Sequence, residues 1–303
     1  MFVSVIICTY RRAAEVQRLL ICLSEQKSVA FEVLVVDGSG EDRAVVDAVE
    51  SAARESAKGL RLCLIRSPAG LTRQRNVGLK HAQGDLICFL DDDVTVPPTF
   101  LKQVVDILSA PEHLDVGGIT GYDDRNYPAS INFRWKLRRW LGVVPSLEPG
   151  QVDRFGRNVP ISFARPFTGF RPVGWLPGFC MIYRRRAMDR IFFDEQLPTY
   201  GGEDRDYSLK VGAGWRLLLC GDLHVEHHVA AAHRVAGWRQ IRQTAFGQGR
   251  GFRQRSRTWG DTAAFLAFVG KELCIESLAL VRHPTPASLA APIARVCGAL
   301  QGW

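Results

Sequence analysis

The first hundred residues alternate short β-branched runs with stretches of helical period, and this alternation limits the possible folds more than any other feature of the chain. VSVIIC (3–8) precedes AAEVQRLLICLSEQ, whose Val16, Leu19, Leu20 and Leu23 recur at helical spacing. EVLVVD (32–37) reads as a second strand, with GSGED as turn and helix start and EDRAVVDAVESAARES as the next helix. LRLCLIRS (60–67), the helix GLTRQRNVGLKHAQG closed by Gly84, the strand DLICFL and the proline-opened helix PPTFLKQVVDILSA continue the series. VGGIT (116–120) offers a fifth strand. Strands alternating with helices predict a mostly parallel sheet sandwiched by helices, with crossovers long enough to be right-handed.

The pattern then changes. Residues 122–175 mix aromatics with Arg and Pro, and apart from a basic amphipathic helix at INFRWKLRRWLG they read as a long irregular lid or binding loop. Regularity returns in GFCMIYRRRAM (strand into helix), GGEDRDYSLKVGAG (helix closed by Gly212 or Gly214) and WRLLLC (strand). From about residue 233 the chain is dense in Arg and spaced aromatics, followed by two apolar helical stretches separated by HPTPAS. The expected division is a domain over 1–230 and a helical C-terminal extension over 231–303.

Composition sets outer bounds. A chain of 303 residues, 47% hydrophobic and 23% charged, can bury a sizeable core. A net charge of +8 suits a polyanionic partner: nucleic acid, an anionic membrane or a phosphorylated substrate. The eight cysteines form no CxxC pair and read as buried thiols of a reducing compartment. MFVSVIICTYRR reads as a strand rather than a signal peptide. The longest apolar stretch, from Ala263, is interrupted by Lys271, Glu272 and Glu276, so a spanning helix is not expected.

Polar clusters recur at the strand ends, where open parallel sheets bind ligands. Asp91, Asp92 and Asp93 end the fourth strand, either as a solvated turn or as carboxylates for a hard cation such as Mg²⁺ or Mn²⁺ bound together with a diphosphate. Asp37 ends the second strand, as a helix cap or as an acceptor for a base edge or ribose hydroxyl. Glu203, Asp204 and Asp206 open a helix, where the macrodipole favours them, or supply a general base. His224, His227, His228 and His233 lack zinc-site spacing, although one of them could complete a mixed oxygen and nitrogen metal site. GQGRG (247–251) follows no expected strand and is not taken as a dinucleotide fingerprint.

In order along the chain, VSVIICTYRR, EVLVVDGSG, GLTRQRNVGLKHAQGDLICFLDDDV, PGFCMIYRR, GGEDRDYSLKVGAGWRLLLC and the later histidine resemble the inverting family 2 glycosyltransferases of GT-A fold, over roughly residues 1–230. The resemblance implies Thr9 and Tyr10 against the nucleotide base with Arg12 nearby, Asp37 reading the base, and Arg75 and Asn76 near the nucleotide. It implies Asp93 as the leading metal ligand with Asp91, Asp92 toward the donor sugar or ribose, His227 on the metal side with His228 as the alternative, and Asp204 as base beside Glu203. Gly178 and the aromatic loop before it fall on the acceptor side; where the family often repeats Asp after Asp37, this chain has Gly38. The implied reaction is a Mn²⁺- or Mg²⁺-dependent single displacement from a UDP- or dTDP-linked sugar to a glycan or lipid-linked hydroxyl.

Residues 234–281 read as a membrane-surface element, with Trp238, Phe246, Phe252 and Trp259 at the interface, or as a solvated face; nucleic acid is not the expected partner. The expected location is cytoplasmic, peripheral at the inner face of the membrane. Two rivals are a nucleotidyltransferase, which the glycine-free TYRRAAEVQ opposes, and a non-catalytic binding protein, which the acidic clusters oppose.

Overall fold

The computed structural model describes residues 1–55, 60–153, 155–199, 201–229, 237–282 and 284–303. Its first half follows the expected alternation: β1 (Val3–Thr9), α1 (Ala13–Ser24), β2 (Phe31–Asp37), α2 (Ala44–Glu55), β3 (Leu62–Arg66), α3 (Leu71–His81) and β4 (Leu86–Asp91). β3, β2, β1 and β4 lie side by side and parallel, so the strand order reverses beside β1. Register places Thr9 opposite Asp37 and Cys8 opposite Asp91, which gathers three polar strand ends at one edge.

The second half is mixed. It contains β5 (Val94–Thr95), α4 (Phe100–Ser109), β6 (Val116–Asp123), α5 (Phe133–Trp140), β7 (Phe170–Pro172), β8 (Cys180–Arg184), α6 (Glu203–Gly212) and β9 (Arg216–His227). β8 inserts antiparallel between β4 and β6, while β6 and β9 run parallel, and β5 and β7 pair antiparallel with β9. The sheet thus keeps the expected α/β architecture and adds an antiparallel strand at its centre.

Alternation along the strands fills both faces. Val5 and Ile7 of β1 pack with Val16, Leu19, Leu20 and Leu23 of α1 on one side. Ile6 points to the other, into a cluster with Phe89, Tyr183, Tyr207 and Val211.

Three elements differ from expectation for local reasons. The helix before β4 stops at His81, and Gly84 instead lies so close to β1 that a Cβ there would meet the Ser4 nitrogen at 2.5 Å. The helix expected after β8 is one 3₁₀ turn, Arg185–Met188. Arg184 there donates to the carbonyls of Val116, Leu108 and His113, and Arg185 to those of Gly84 and Ala82, which ties the chain to neighbouring loops. β9 runs on beyond WRLLLC to His227.

α7 (Trp238–Arg255), α8 (Trp259–Arg282) and α9 (Pro286–Gly302) follow. They form a further core in which Ala245, Phe252, Phe265, Phe268 and Ile275 pack with Val143 and Phe155 of the irregular segment. That segment is therefore anchored along part of its length. The cysteines are not all buried as expected: Cys63 lies on the edge strand β3 and Cys274 and Cys297 on outward faces of α8 and α9, and all three are exposed. Among the described residues no helix is long and apolar enough to cross a membrane.

Candidate active site

A cleft of about 530 Å³ opens over the ends of β1 and β4. Thr9, Tyr10, Arg12, Arg75, Asp91, Asp92, Asp93, Gly178, Glu203, Asp204 and His227 all line it, so most of the sequence-derived site meets in one place. The turn after β1 is strained: Arg11 has φ 56°, a left-handed conformation unusual for a residue with a side chain, and its N–H donates to Ser39 Oγ at 2.8 Å. This kink brings both Tyr10 and Arg12 into the cleft wall.

The three aspartates have different partners. Asp92 is buried, accepting from Thr9 Oγ1 at 2.7 Å and from Arg12 Nη1 at 2.8 Å. Burial raises its pKa to about 6, although Arg12 and Thr9 pull it down. Asp91 accepts from Arg75 Nη2 at 3.4 Å, and burial also lifts its pKa against the pull of Arg75. Asp93 lies 3.1 Å from His227 Nε2 through its Oδ1.

Ligand atoms of Asp91, Asp93 and His227 all fall within 4.8 Å of one another. The buried His227 Nε2 approaches Asp93 without hydrogen-bond geometry, leaving both atoms turned toward a shared space. Two carboxylates and one imidazole form a donor set that fits a divalent cation such as Mn²⁺ or Mg²⁺. Burial disfavours a proton on His227, yet Asp93, Asp91 and Asp123 outweigh it and raise its pKa, so the cluster draws positive charge to this point. Extended β9 turns adjacent histidines to opposite sides: His227 stacks on Phe179 at 4.9 Å in the cleft, while His228 meets Thr95 Oγ1 at 2.8 Å. His224 pairs with Asp124, and His233 lies outside the described residues.

On the opposite wall, α6 begins with Glu203 and Asp204. Asp204 accepts from the Gly178 N–H at 3.1 Å and from the Arg205 N–H at 2.7 Å, one bond to each carboxylate oxygen. Gly178 allows this approach, since a Cβ there would crowd Arg75 Nη2 at 3.1 Å. Arg75 links the two walls: it donates to the Gly178 carbonyl at 3.0 Å and reaches Glu203 at 3.5 Å as well as Asp91. Burial, reinforced by Asp204, raises the pKa of Glu203.

Two of the expected residues sit apart from the cleft lining. Asn76 is bound on both sides of its amide by Phe193 and also donates to Glu195 at 3.0 Å, so it anchors the loop before α6. Asp37 is buried, paired with Arg66 and accepting from the Ser39 N–H at 2.8 Å, a cap-like arrangement at the end of β2.

A family model described as glycosyl transferase family 2 matches residues 4–192. The chain belongs to that family. The amylovoran biosynthesis glycosyltransferase AmsB of Erwinia amylovora is 34% identical over 231 residues, 75% of this chain and 69% of the relative. An uncharacterized glycosyltransferase of Haemophilus influenzae is 35% identical over 107 residues, 35% of this chain, and the chain spans 34% of that relative's length. Among solved structures, the mannosyltransferase PcManGT from Pyrobaculum calidifontis, in complex with GDP-Man and Mn²⁺, superposes with TM-score 0.61 at 17% identity over 99% of this chain and 86% of that one. S. aureus TarS 1-349 in complex with UDP-GlcNAc gives 0.54 at 17% identity over 99% and 89%. The GT-A-like fold expected from the sequence is the fold these neighbours share.

Within this family 2 glycosyltransferase, two further residues of the site lie outside the sequence-derived set. Gln74 is buried and donates to the carbonyls of Thr9 and Val36 at 2.8 and 2.9 Å, clamping the ends of β1 and β2. Asp123 ends β6 and accepts from Asn126 Nδ2 at 2.7 Å and from the His227 N–H at 3.3 Å, steadying the histidine from behind. Its signal was present: DD at 123–124 is another acidic strand end.

Proposed function

We propose that the cleft transfers a sugar from a nucleoside-diphosphate donor, UDP- or dTDP-linked, to a hydroxyl of a glycan or lipid-linked acceptor, inverting the anomeric carbon. The observation that carries this reading is the convergence of the Asp91, Asp93 and His227 donor set with an oriented carboxylate, Asp204, in one cleft. When bound, Mn²⁺ or Mg²⁺ would offset charge on the leaving diphosphate. Asp91, Asp93 and His227 are its ligands in this reading.

The protein's own groups do the rest. Tyr10 offers its ring to the base, and Asp37, held by Arg66 and the Ser39 N–H behind the cleft wall, serves the base side indirectly, by fixing the end of β2. Asn76 acts near the nucleotide indirectly, through the 193–195 loop it holds. Arg12 and Thr9 orient Asp92 toward the ribose or donor sugar. Each Asp204 oxygen accepts one backbone N–H and keeps a lone pair for the acceptor proton. As that proton moves to Asp204, the acceptor oxygen bonds to the anomeric carbon and the bond to the diphosphate oxygen breaks. Trp175, Gly178 and Phe179 flank the acceptor approach. Residues 1–230 hold this chemistry and 231–303 form the extension, with the protein peripheral at the inner face of the membrane and no role for nucleic acid.

Asp204→Asn tests the base. Transfer should fall by about 10²–10⁴-fold while the donor dissociation constant stays put. A variant as active as wild type removes Asp204 from the mechanism, and turnover unchanged by EDTA removes the metal.

A further inference from the structure

α8 buries its acids on the same face as Phe265, Phe268 and Ile275. A surface helix normally buries its apolar stripe and exposes its charges. Here the three acids of α8 are buried: Glu272 and Glu276 are each 1% exposed, and Asp261 is also enclosed. Arg138 of α5 grips Glu272 through two bonds of 2.8 Å, Arg295 of α9 reaches Glu276 at 3.1 Å, and Arg134 meets Glu276 at 3.0 Å. With the acids drawn inward, the outward stripe carries Leu266, Leu273, Leu278 and Val281, the last 82% exposed. At helical rise the stripe from Leu266 to Val281 runs for about 22 Å along α8. Beside it α9 likewise buries Arg295 among alanines and leaves Leu289 and Ile293 exposed.

The surrounding charge is one-sided. Residues 237–303 contain nine Arg and Lys against three acids, and all three acids are the buried ones. Arg253, Arg257 and Arg282 are exposed, and α5, packed against α8, adds exposed Lys136 and Arg139. Trp259, 90% exposed, stands at the head of the stripe. An apolar face without a spanning helix, rimmed by cations and a tryptophan, matches an anionic bilayer interface.

We propose that the outward faces of α8 and α9 dock this protein on an anionic lipid surface. The inference deepens the peripheral location given above and moves it off the Arg-rich α7. Phe252 of α7 is buried between Phe155 and Phe268, and Arg250 and Arg255 are paired with Asp194 and Asp206, so these α7 residues face the interior.

Co-sedimentation of the full chain with phosphatidylcholine vesicles, with and without phosphatidylglycerol, tests this. Wild type should pellet with the anionic vesicles, less with neutral ones and less at high salt. Val281→Glu and Leu273→Glu, at exposed positions, should each lower vesicle affinity by about tenfold or more without altering the thermal melt. Arg257→Glu with Arg282→Glu should weaken only the anionic case. Wild type that ignores both vesicle types overturns the proposal, as does binding indifferent to Val281→Glu and Leu273→Glu. So does a light-scattering dimer that these variants dissociate without any vesicle binding, which would assign the face to a second copy. Metal-dependent donor turnover on the same samples separates the two readings: vesicle binding without turnover rejects the transferase reading alone, and turnover without vesicle binding rejects the docking alone.

Discussion

Replacing Arg75 by methionine keeps the length of the side chain and deletes its charge. Arg75 is 2% exposed and bridges the cleft, touching Asp91 at 3.4 Å, Glu203 at 3.5 Å and the Gly178 carbonyl at 3.0 Å. The change leaves buried Glu203 and partly buried Asp91 facing one another without their shared cation. Breaking such a pair costs about 3–5 kcal/mol, on the order of a 10 °C fall in melting temperature for a chain of this size. The sign of the pH dependence follows from Glu203, whose pKa burial and Asp204 already raise above its ordinary value. Without Arg75 it holds its proton still more tightly. The folded state then binds more protons than the unfolded state above about 4.5, so the variant is least penalised in acid and loses stability as pH rises. Thermal unfolding followed by circular dichroism in EDTA, at pH 5 and pH 8, measures this. Glu203→Gln in the Arg75→Met background should recover part of the loss at pH 8. An Arg75→Met protein that melts with wild type at pH 8 refutes the bridging role.

Further outcomes follow from the same geometry. His227→Ala should weaken Mn²⁺ binding by about tenfold or more, measured by calorimetry, whereas His228→Ala should leave it nearly unchanged. In metal-free protein, Asp92, with its pKa raised to about 6 from 3.8, favours folding below its unfolded pKa and loses that contribution as pH climbs through about 6; Asp92→Asn should flatten this part of the stability profile. Glu272 behaves oppositely, because Arg138 and Arg295 overcome burial and depress its pKa. Its stabilisation is present above the unfolded value and fades as pH falls, and Glu272→Gln should remove that acid sensitivity from the unfolding curve. Gly247→Ala would drive a Cβ to 1.5 Å from the Gly201 carbonyl oxygen, beside the loop that opens α6, so both melting temperature and kcat should drop.

Much of the catalytic half was legible because its signals are local. β1 to β4 carry β-branched runs, and the helices between them carry their period within a dozen residues, so strand ends and the residues on them could be placed together. The pairing of β8 joins it to β4, 90–98 residues earlier, and to β6, 63–65 residues earlier, and nothing within these segments announces it. The end of β9 is hard to read because LHVEH carries polar residues in a histidine-rich stretch, although its polar and apolar alternation is that of a strand that turns His227 inward. Asn76 and Asp37 show a different limit: residue type and order cannot tell a side chain that faces the cleft from one that braces it. In α8 the carboxylates Glu272 and Glu276 read as interruptions of an apolar run. Their partners Arg138 and Arg295 come from two other helices, and only those contacts reveal that the acids face inward.

The most direct test of the central claim is anomalous scattering from crystals grown with UDP and Mn²⁺. The account predicts a manganese peak at bonding distance from Asp93, His227 and Asp91 and from the diphosphate oxygens. A nucleotide bound in the cleft with manganese elsewhere, or with no manganese beside His227, would contradict it.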